Sequence, residues 1–160
     1  GPVSGAHFNP AVTLAFYLRA DISFGDALTY GAVQIFGGLI GVWIAHMMFD
    51  QVVFQASTTV RTGVNLWVSE AVATFGLLMV IFGGLRFNST AIPMLVAVYI
   101  TGAYWFTSST SFANPAVTIA RSFSDTFAGI MPAHAPMFVL IQLVTAILSV
   151  PALTWMFKDD

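Results

Sequence analysis

Two asparagines stand where a held amide could do chemistry. Asn9 lies in Phe8-Asn9-Pro10-Ala11-Val12-Thr13-Leu14-Ala15, and Asn114 lies in Ala113-Asn114-Pro115-Ala116-Val117-Thr118-Ile119-Ala120. The second copy begins 105 residues after the first, with six of eight positions identical and Leu exchanged for Ile at a seventh, which marks an internal duplication. Each copy also reads as a helix start. Asn is a favoured N-cap, and Pro suits the first helical position because its missing N–H would be unpaired there anyway. A capping Asn uses its side-chain carbonyl on the backbone and leaves its NH₂ free to donate. Each cap also sits at the positive end of a helix dipole.

The elements that must position these caps follow from composition and spacing. The chain is 58% hydrophobic and 8% charged, with a mean hydropathy of +0.85, against roughly 25% charged residues in a soluble domain. Lipid is the solvent such a chain fits. A net charge of −2 argues against a nucleic-acid partner. With no cysteine there is no disulfide frame and no thiolate metal site, and no cofactor is expected. The segment 10–18 is too short to span: about 9 residues reach roughly 14 Å, half of a hydrocarbon core. Apolar runs at about 27–49, 66–85, 91–107 and 134–157 are long enough to cross. A second half-helix is expected at 115–123, entered through the hydroxyl-rich Thr107-Ser108-Ser109-Thr110-Ser111. Residues 50–65 read as an aqueous loop, and Ser23-Phe24-Gly25-Asp26 as a cap. Gly37 and Gly41 form a GxxxG, a pattern for close helix packing.

The expected fold is therefore an all-α membrane protein with four spanning helices and two re-entrant half-helices. It is read as one domain over 1–160: an incomplete first repeat (1–49), a connecting loop (50–65) and a complete second repeat (66–160). Gln34 and Gln142 occupy matching places after the two caps. Two spans precede Asn114 from Glu70 onward, but only eight residues precede Asn9. The repeat's logic thus predicts two further spans before it, six in all, and a chain that is a fragment or processed form of a longer protein. Three spans per repeat force the copies into opposite orientations, so the half-helices enter from opposite faces and meet cap to cap. Arg19, Arg86 and Lys158 then share the cytoplasmic side, with Arg61 and Arg121 outside.

At this point the sequence resembles the aquaporin (major intrinsic protein) family. Ser4-Gly5-Ala6-His7-Phe8-Asn9-Pro10-Ala11 and Phe112-Ala113-Asn114-Pro115-Ala116 resemble its paired NPA signatures, and Glu70-Ala71-Val72-Ala73-Thr74 looks like its E-x-x-x-T. The resemblance implies a pore through each protomer, a homotetramer in the lipid bilayer, and passage of small neutral solutes. A bacterial inner membrane is the expected location. Pore residues by this likeness are Asn9, Pro10, Ala11, Asn114, Pro115 and Ala116. The family usually carries Arg directly after the second NPA, and here that position is Val117. Counting without gaps puts the other filter positions on Gly102 and Ser111. Together they suggest a wide constriction without fixed charge, open to glycerol and to neutral trihydroxides of arsenic. Val at this place also resembles a bacterial subgroup linked to arsenic resistance.

Three nearby residues have two readings each. Arg121 lies one turn beyond Val117 and is either a displaced charge in the outer vestibule or a helix-end Arg meeting its own carbonyls or lipid headgroups. Glu70 either accepts hydrogen bonds from the loop before Asn114 or sits at the aqueous mouth of its helix. His7 belongs to the pore wall just inside Asn9, or to a solvated loop. His46 and His134 read as interface residues, and Trp43, Trp67, Trp105 and Trp155 as belt anchors or packing. A strict water channel and an ion-coupled transporter of inverted-repeat type are the alternatives to a solute channel, and a closed or inactive structural membrane protein is a further class. An enzyme is not expected, since no metal-spaced or nucleophile–base set of residues stands out.

Overall fold

The computed structural model describes residues 1–158, so the expected exit at Asp159 and Asp160 lies outside the described residues. All regular elements described are helical. They are α1 (Pro10–Leu18), α2 (Phe24–Met48), α3 (Val64–Phe87), a 3₁₀ turn (Ser89–Ala91), α4 (Ile92–Phe106), α5 (Pro115–Arg121) and α6 (Ala135–Met156). Among the described residues, four segments are long and apolar enough to cross a membrane: α2, α3, Ser89–Phe106 and α6. The short helices α1 and α5, of nine and seven residues, cannot.

Local chemistry sets the boundaries. Ser23 Oγ accepts the Asp26 N–H (3.1 Å) and donates to the Asp26 carboxylate (2.8 Å), which starts α2 at Phe24. The half-helix expected to run to 123 stops at Arg121. Its last carbonyls are taken by other partners: Arg121 O accepts from Ile130 N and Ser122 O from Ser57 N. Beyond it the chain tightens into i→i+3 turns, with Phe123 N on Ala120 O and Ser124 N on Arg121 O.

The packing exchanges partners between the two halves. α2, from the first half, packs on α5 of the second, while α6 packs on α1. Both half-helices also touch one another. Buried Ala11, Val12 and Ala15 of α1 join Leu77, Leu78, Ile81 and Phe82 of α3 and Ala146, Val150 and Leu153 of α6 in one core cluster. Small residues admit the close approach of α2 to α5. A Cβ at Gly38 would stand 3.3 Å from Ala120 Cβ and 3.5 Å from the Ala116 carbonyl. A Cβ at Gly37 or Gly41, the GxxxG pair, would meet no other part of the described chain within 4 Å. The glycine that brings helices together here is Gly38, one position away, because that is the side of α2 facing α5.

The segment 50–63 has no helix, as expected, but it is not solvated along its length. Ser57 and Arg61 are buried. The segment is laid across residues 122–134 by Ser57 N to Ser122 O, Met131 N to Thr59 O, and the Asp125 carboxylate, which accepts from both Thr58 N (2.7 Å) and Thr58 Oγ1 (2.9 Å). These two bonds hold the exposed Asp125 below the ordinary carboxylate range. His46, expected at the bilayer interface, is buried in the same seam, with Nδ1 2.9 Å from Val53 O and Nε2 3.0 Å from Ser124 Oγ. His134 Nδ1 accepts the Arg61 N–H there (3.2 Å). Trp67 packs into the cluster of Phe112, Ile130 and Phe138 rather than facing lipid headgroups, whereas Trp105 and Trp155 are exposed.

Candidate functional site

The two caps meet. Asn9 Oδ1 accepts the Ala11 N–H (2.9 Å), and Asn114 Oδ1 accepts those of Ala116 (3.0 Å) and Val117 (3.3 Å). Each amide nitrogen then reaches across to the other repeat. Asn9 Nδ2 donates to Ala113 O (2.7 Å), and Asn114 Nδ2 donates to Phe8 O (2.9 Å). The bonds are reciprocal, from each Asn to the residue that precedes the other. The expectation of two amides wholly free for a solute is corrected: one N–H of each NH₂ is spent on the partner repeat, and one remains. Asn9 is buried and Asn114 is half-buried.

Backbone strain makes this exchange possible. Phe8 and Ala113, just before the two Asn, have φ of 49° and 47°, and Ala6 and Ser111, three before them, have 52° and 50°. Non-glycine residues seldom occupy the left-handed region. Here it recurs at matching places in both repeats, and it turns the Phe8 and Ala113 carbonyls toward the opposite amide.

Glu70 fixes the second of these loops. It is wholly buried two turns into α3, which removes the reading that placed it at an aqueous helix mouth. Its carboxylate accepts the N–H of Phe112 (2.9 Å) and of Ala113 (2.8 Å), and the Gln142 amide (2.6 Å). Gln142 in turn donates to Thr118 Oγ1 (3.0 Å), which itself donates to Asn114 O (2.9 Å). In the first repeat Gln34 donates to Thr13 Oγ1 (3.0 Å), and His7 Nδ1 lies 3.2 Å from the same hydroxyl. His7 is half-buried against Phe16, with ring centroids 4.4 Å apart, so it is not a solvated loop residue.

The positions expected to form the constriction are placed unevenly. Gly102 on α4 and Val117 in the first turn of α5 are half-buried. The Ser111 side chain is covered, and its hydroxyl has no hydrogen-bond partner among the described residues. It does not offer that hydroxyl to the open surface. Pro10 and Pro115 start the two half-helices, and Ala11 and Ala116 are buried beneath the caps.

Sequence reasoning missed four participants. Thr13 and Thr118 were within the duplicated octet, and their identity there was the available signal. Ser109, wholly buried, accepts from Ser69 Oγ (3.1 Å) and from Ser111 N (3.2 Å) and shapes the loop before Asn114. Arg61 binds the carbonyls of Gly129 (2.8 Å), Ser109 (3.3 Å) and Phe127 (2.9 Å) from the connecting segment. In the sequence Ser109 was one hydroxyl among those of 107–111, and Arg61 stood only as a cation of the outer side. The basic residues form two groups. Arg19, Arg86 and Lys158 line one cavity of about 960 Å³, while Arg61 and Arg121 both lie over the Phe112 ring, before the second cap.

Comparison with known proteins gives one family model, described as Major intrinsic protein, which matches residues 1–91. The chain is 49% identical over 158 residues to an aquaglyceroporin, AqpS, of Rhizobium meliloti (strain 1021), covering 99% of this chain and 68% of that protein. It is 36% identical over 85 residues to Nodulin-26 of Glycine max, covering 52% of this chain and 31% of that protein. It is 32% identical over 122 residues to glycerol uptake facilitator protein-like 6 of Lactiplantibacillus plantarum, covering 64% of this chain and 56% of that protein.

Proposed function

Because the chain belongs to the major intrinsic protein family, whose members are channels and not enzymes, we propose that it forms the greater part of a passive channel for water and small uncharged solutes. The relatives described as an aquaglyceroporin and a glycerol uptake facilitator favour glycerol among those solutes. Neutral arsenite-type hydroxides are a further candidate, on the grounds of size and polarity. The full protein is read as a homotetramer of single-domain subunits in a bacterial inner membrane.

One observation carries this reading: Asn9 and Asn114 are locked face to face by reciprocal bonds, each with a remaining N–H. A permeant hydroxyl or water oxygen can accept from such a pair, and it gives up little hydration to do so. The half-helix dipoles oppose a cation at the same point. Gly102 and Val117 leave the constriction wide, with no side chain of their own that donates a hydrogen bond. An ion-coupled transporter is disfavoured by Glu70, the one acid buried within a span among the described residues. Both of its oxygens are committed to protein donors, so it is not poised to exchange protons or bind sodium.

The test is stopped-flow light scattering on proteoliposomes of the full-length protein with water, glycerol and arsenite gradients. Glycerol permeability at least tenfold above protein-free liposomes is expected. Fast water flux without glycerol flux would mean a strict water channel, and would overturn the wide-constriction reading.

A further inference from the structure

Arg121 ends α5 four residues after Val117, one turn and about 6 Å further along the axis. Its side chain folds back onto the chain's own loop. The guanidinium carbon stands 4.4 Å from the centroid of the Phe112 ring, Tyr104 lies beside it, and Nη1 is covered and unpartnered among the described residues. Among the described residues its guanidinium makes no hydrogen bond to the carbonyls of its own helix, where the Ser122 N–H meets those of Ile119 and Ala120. A second guanidinium, from Arg61, approaches the same ring at 5.2 Å, close enough for a cation–π contact. Arg61 is pinned by three backbone carbonyls. Among the described residues neither arginine has a carboxylate in ion-pair range. Glu70, the nearest acid by its influence on both, holds the Phe112 backbone instead. Two positive charges against one carboxylate are thus gathered on the residue two before Asn114.

We propose that Arg121, held against Phe112 with Arg61 fixed on the same ring, is the residue that excludes cations from this passage, doing so one helical turn away from the constriction instead of within it. The proposal rests on the channel reading above. A charge at position 117 would narrow the passage and add donors to it. Moved to position 121 and turned onto an aromatic ring, it keeps a positive field at the entrance to the second cap and leaves the constriction lined by Val117. Arg61 is a positioning residue, since its donors are spent on the loop that presents Phe112. Wide solute passage and cation exclusion are thereby separated between two residues of one short helix.

The experiment compares R121Q and R121K with the unmutated full-length protein in proteoliposomes, reading sodium and proton leak against glycerol flux in the same vesicles. R121Q should raise the ratio of cation leak to glycerol flux at least tenfold, and R121K should hold it near the unmutated value. An unchanged ratio in R121Q overturns the assignment. If R121Q does not assemble, the residual leak of the unmutated channel decides: chloride exceeding sodium about tenfold supports the proposal, and sodium equal to or above chloride overturns it. Absence of glycerol flux in the unmutated protein would instead sink the channel reading itself.

Discussion

Replacing Glu70 by Leu should collapse the loop that carries Asn114 and cost about 3 kcal/mol or more, because it strands three buried N–H donors. The carboxylate satisfies the Phe112 and Ala113 N–H groups and the Gln142 amide, all buried. Leucine leaves all three donors without an acceptor, and each costs about 1–3 kcal/mol in desolvation that nothing repays. The loss extends to the site. Ala113 holds a left-handed φ of 47°, and its carbonyl receives the Asn9 amide. Once its N–H is released, that conformation has no support, and the reciprocal bond between the repeats goes with it. Glu70→Gln is the sharper probe because it keeps the shape. A neutral amide oxygen can accept from at most two of the donors, and its own NH₂ must face the third. The expected result is a thermal midpoint lowered by about 10 °C for E70Q and more for E70L, read on the purified full-length protein in detergent. Solute flux should fall along with it. An unchanged midpoint in both variants would show that the network is not what holds the loop.

Val117→Arg should have the largest effect on transport. The residue follows the second cap directly, and its N–H is held by Asn114 Oδ1 at 3.3 Å, so the new side chain would project from a fixed point. It would add a long cationic group to the constriction proposed at Gly102 and Val117. Glycerol flux is expected to fall at least a hundredfold, with water flux falling less than tenfold, because water can pass a narrow charged constriction that a three-carbon polyol cannot. Such selectivity on a few groups corresponds to about 1.4 kcal/mol per tenfold. Equal loss of both fluxes would indicate a blocked or misfolded channel, and equal retention would place Val117 away from the passage.

Much of this architecture was legible in the sequence because it is written twice. The duplicated octet located both half-helices, and hydropathy located the four long helices, since the bilayer imposes length and apolarity on anything that crosses it. Glu70 stood out as an acid in an apolar run, and its buried place against the loop fits the rule that such groups have partners. What could not be read has a common physical cause. The segment 50–63 docks through backbone carbonyls and short hydroxyls, which carry no periodicity, so a polar run looked like a solvated loop. GxxxG names a face without naming its partner, and the contact falls on Gly38 instead of Gly37 and Gly41. Arg61 and Arg121 lie 60 positions apart, and only the folded chain brings both to the Phe112 ring. The cross-repeat bonds from Asn9 and Asn114 also escaped notice, because they depend on left-handed alanine and phenylalanine residues that sequence gives no reason to expect.

The central claim is that the two half-helices border one shared passage, and a thiol placed at its edge tests this most directly. Residues 1–160 contain no cysteine, so Val117→Cys introduces the single thiol of this region beside the second cap. The full-length variant in proteoliposomes would be treated with a negatively charged methanethiosulfonate reagent, with labelling followed by mass spectrometry and glycerol flux by light scattering. Stoichiometric labelling should lower glycerol flux at least tenfold, and reduction of the adduct should restore it. Complete labelling with flux unchanged would contradict the shared passage.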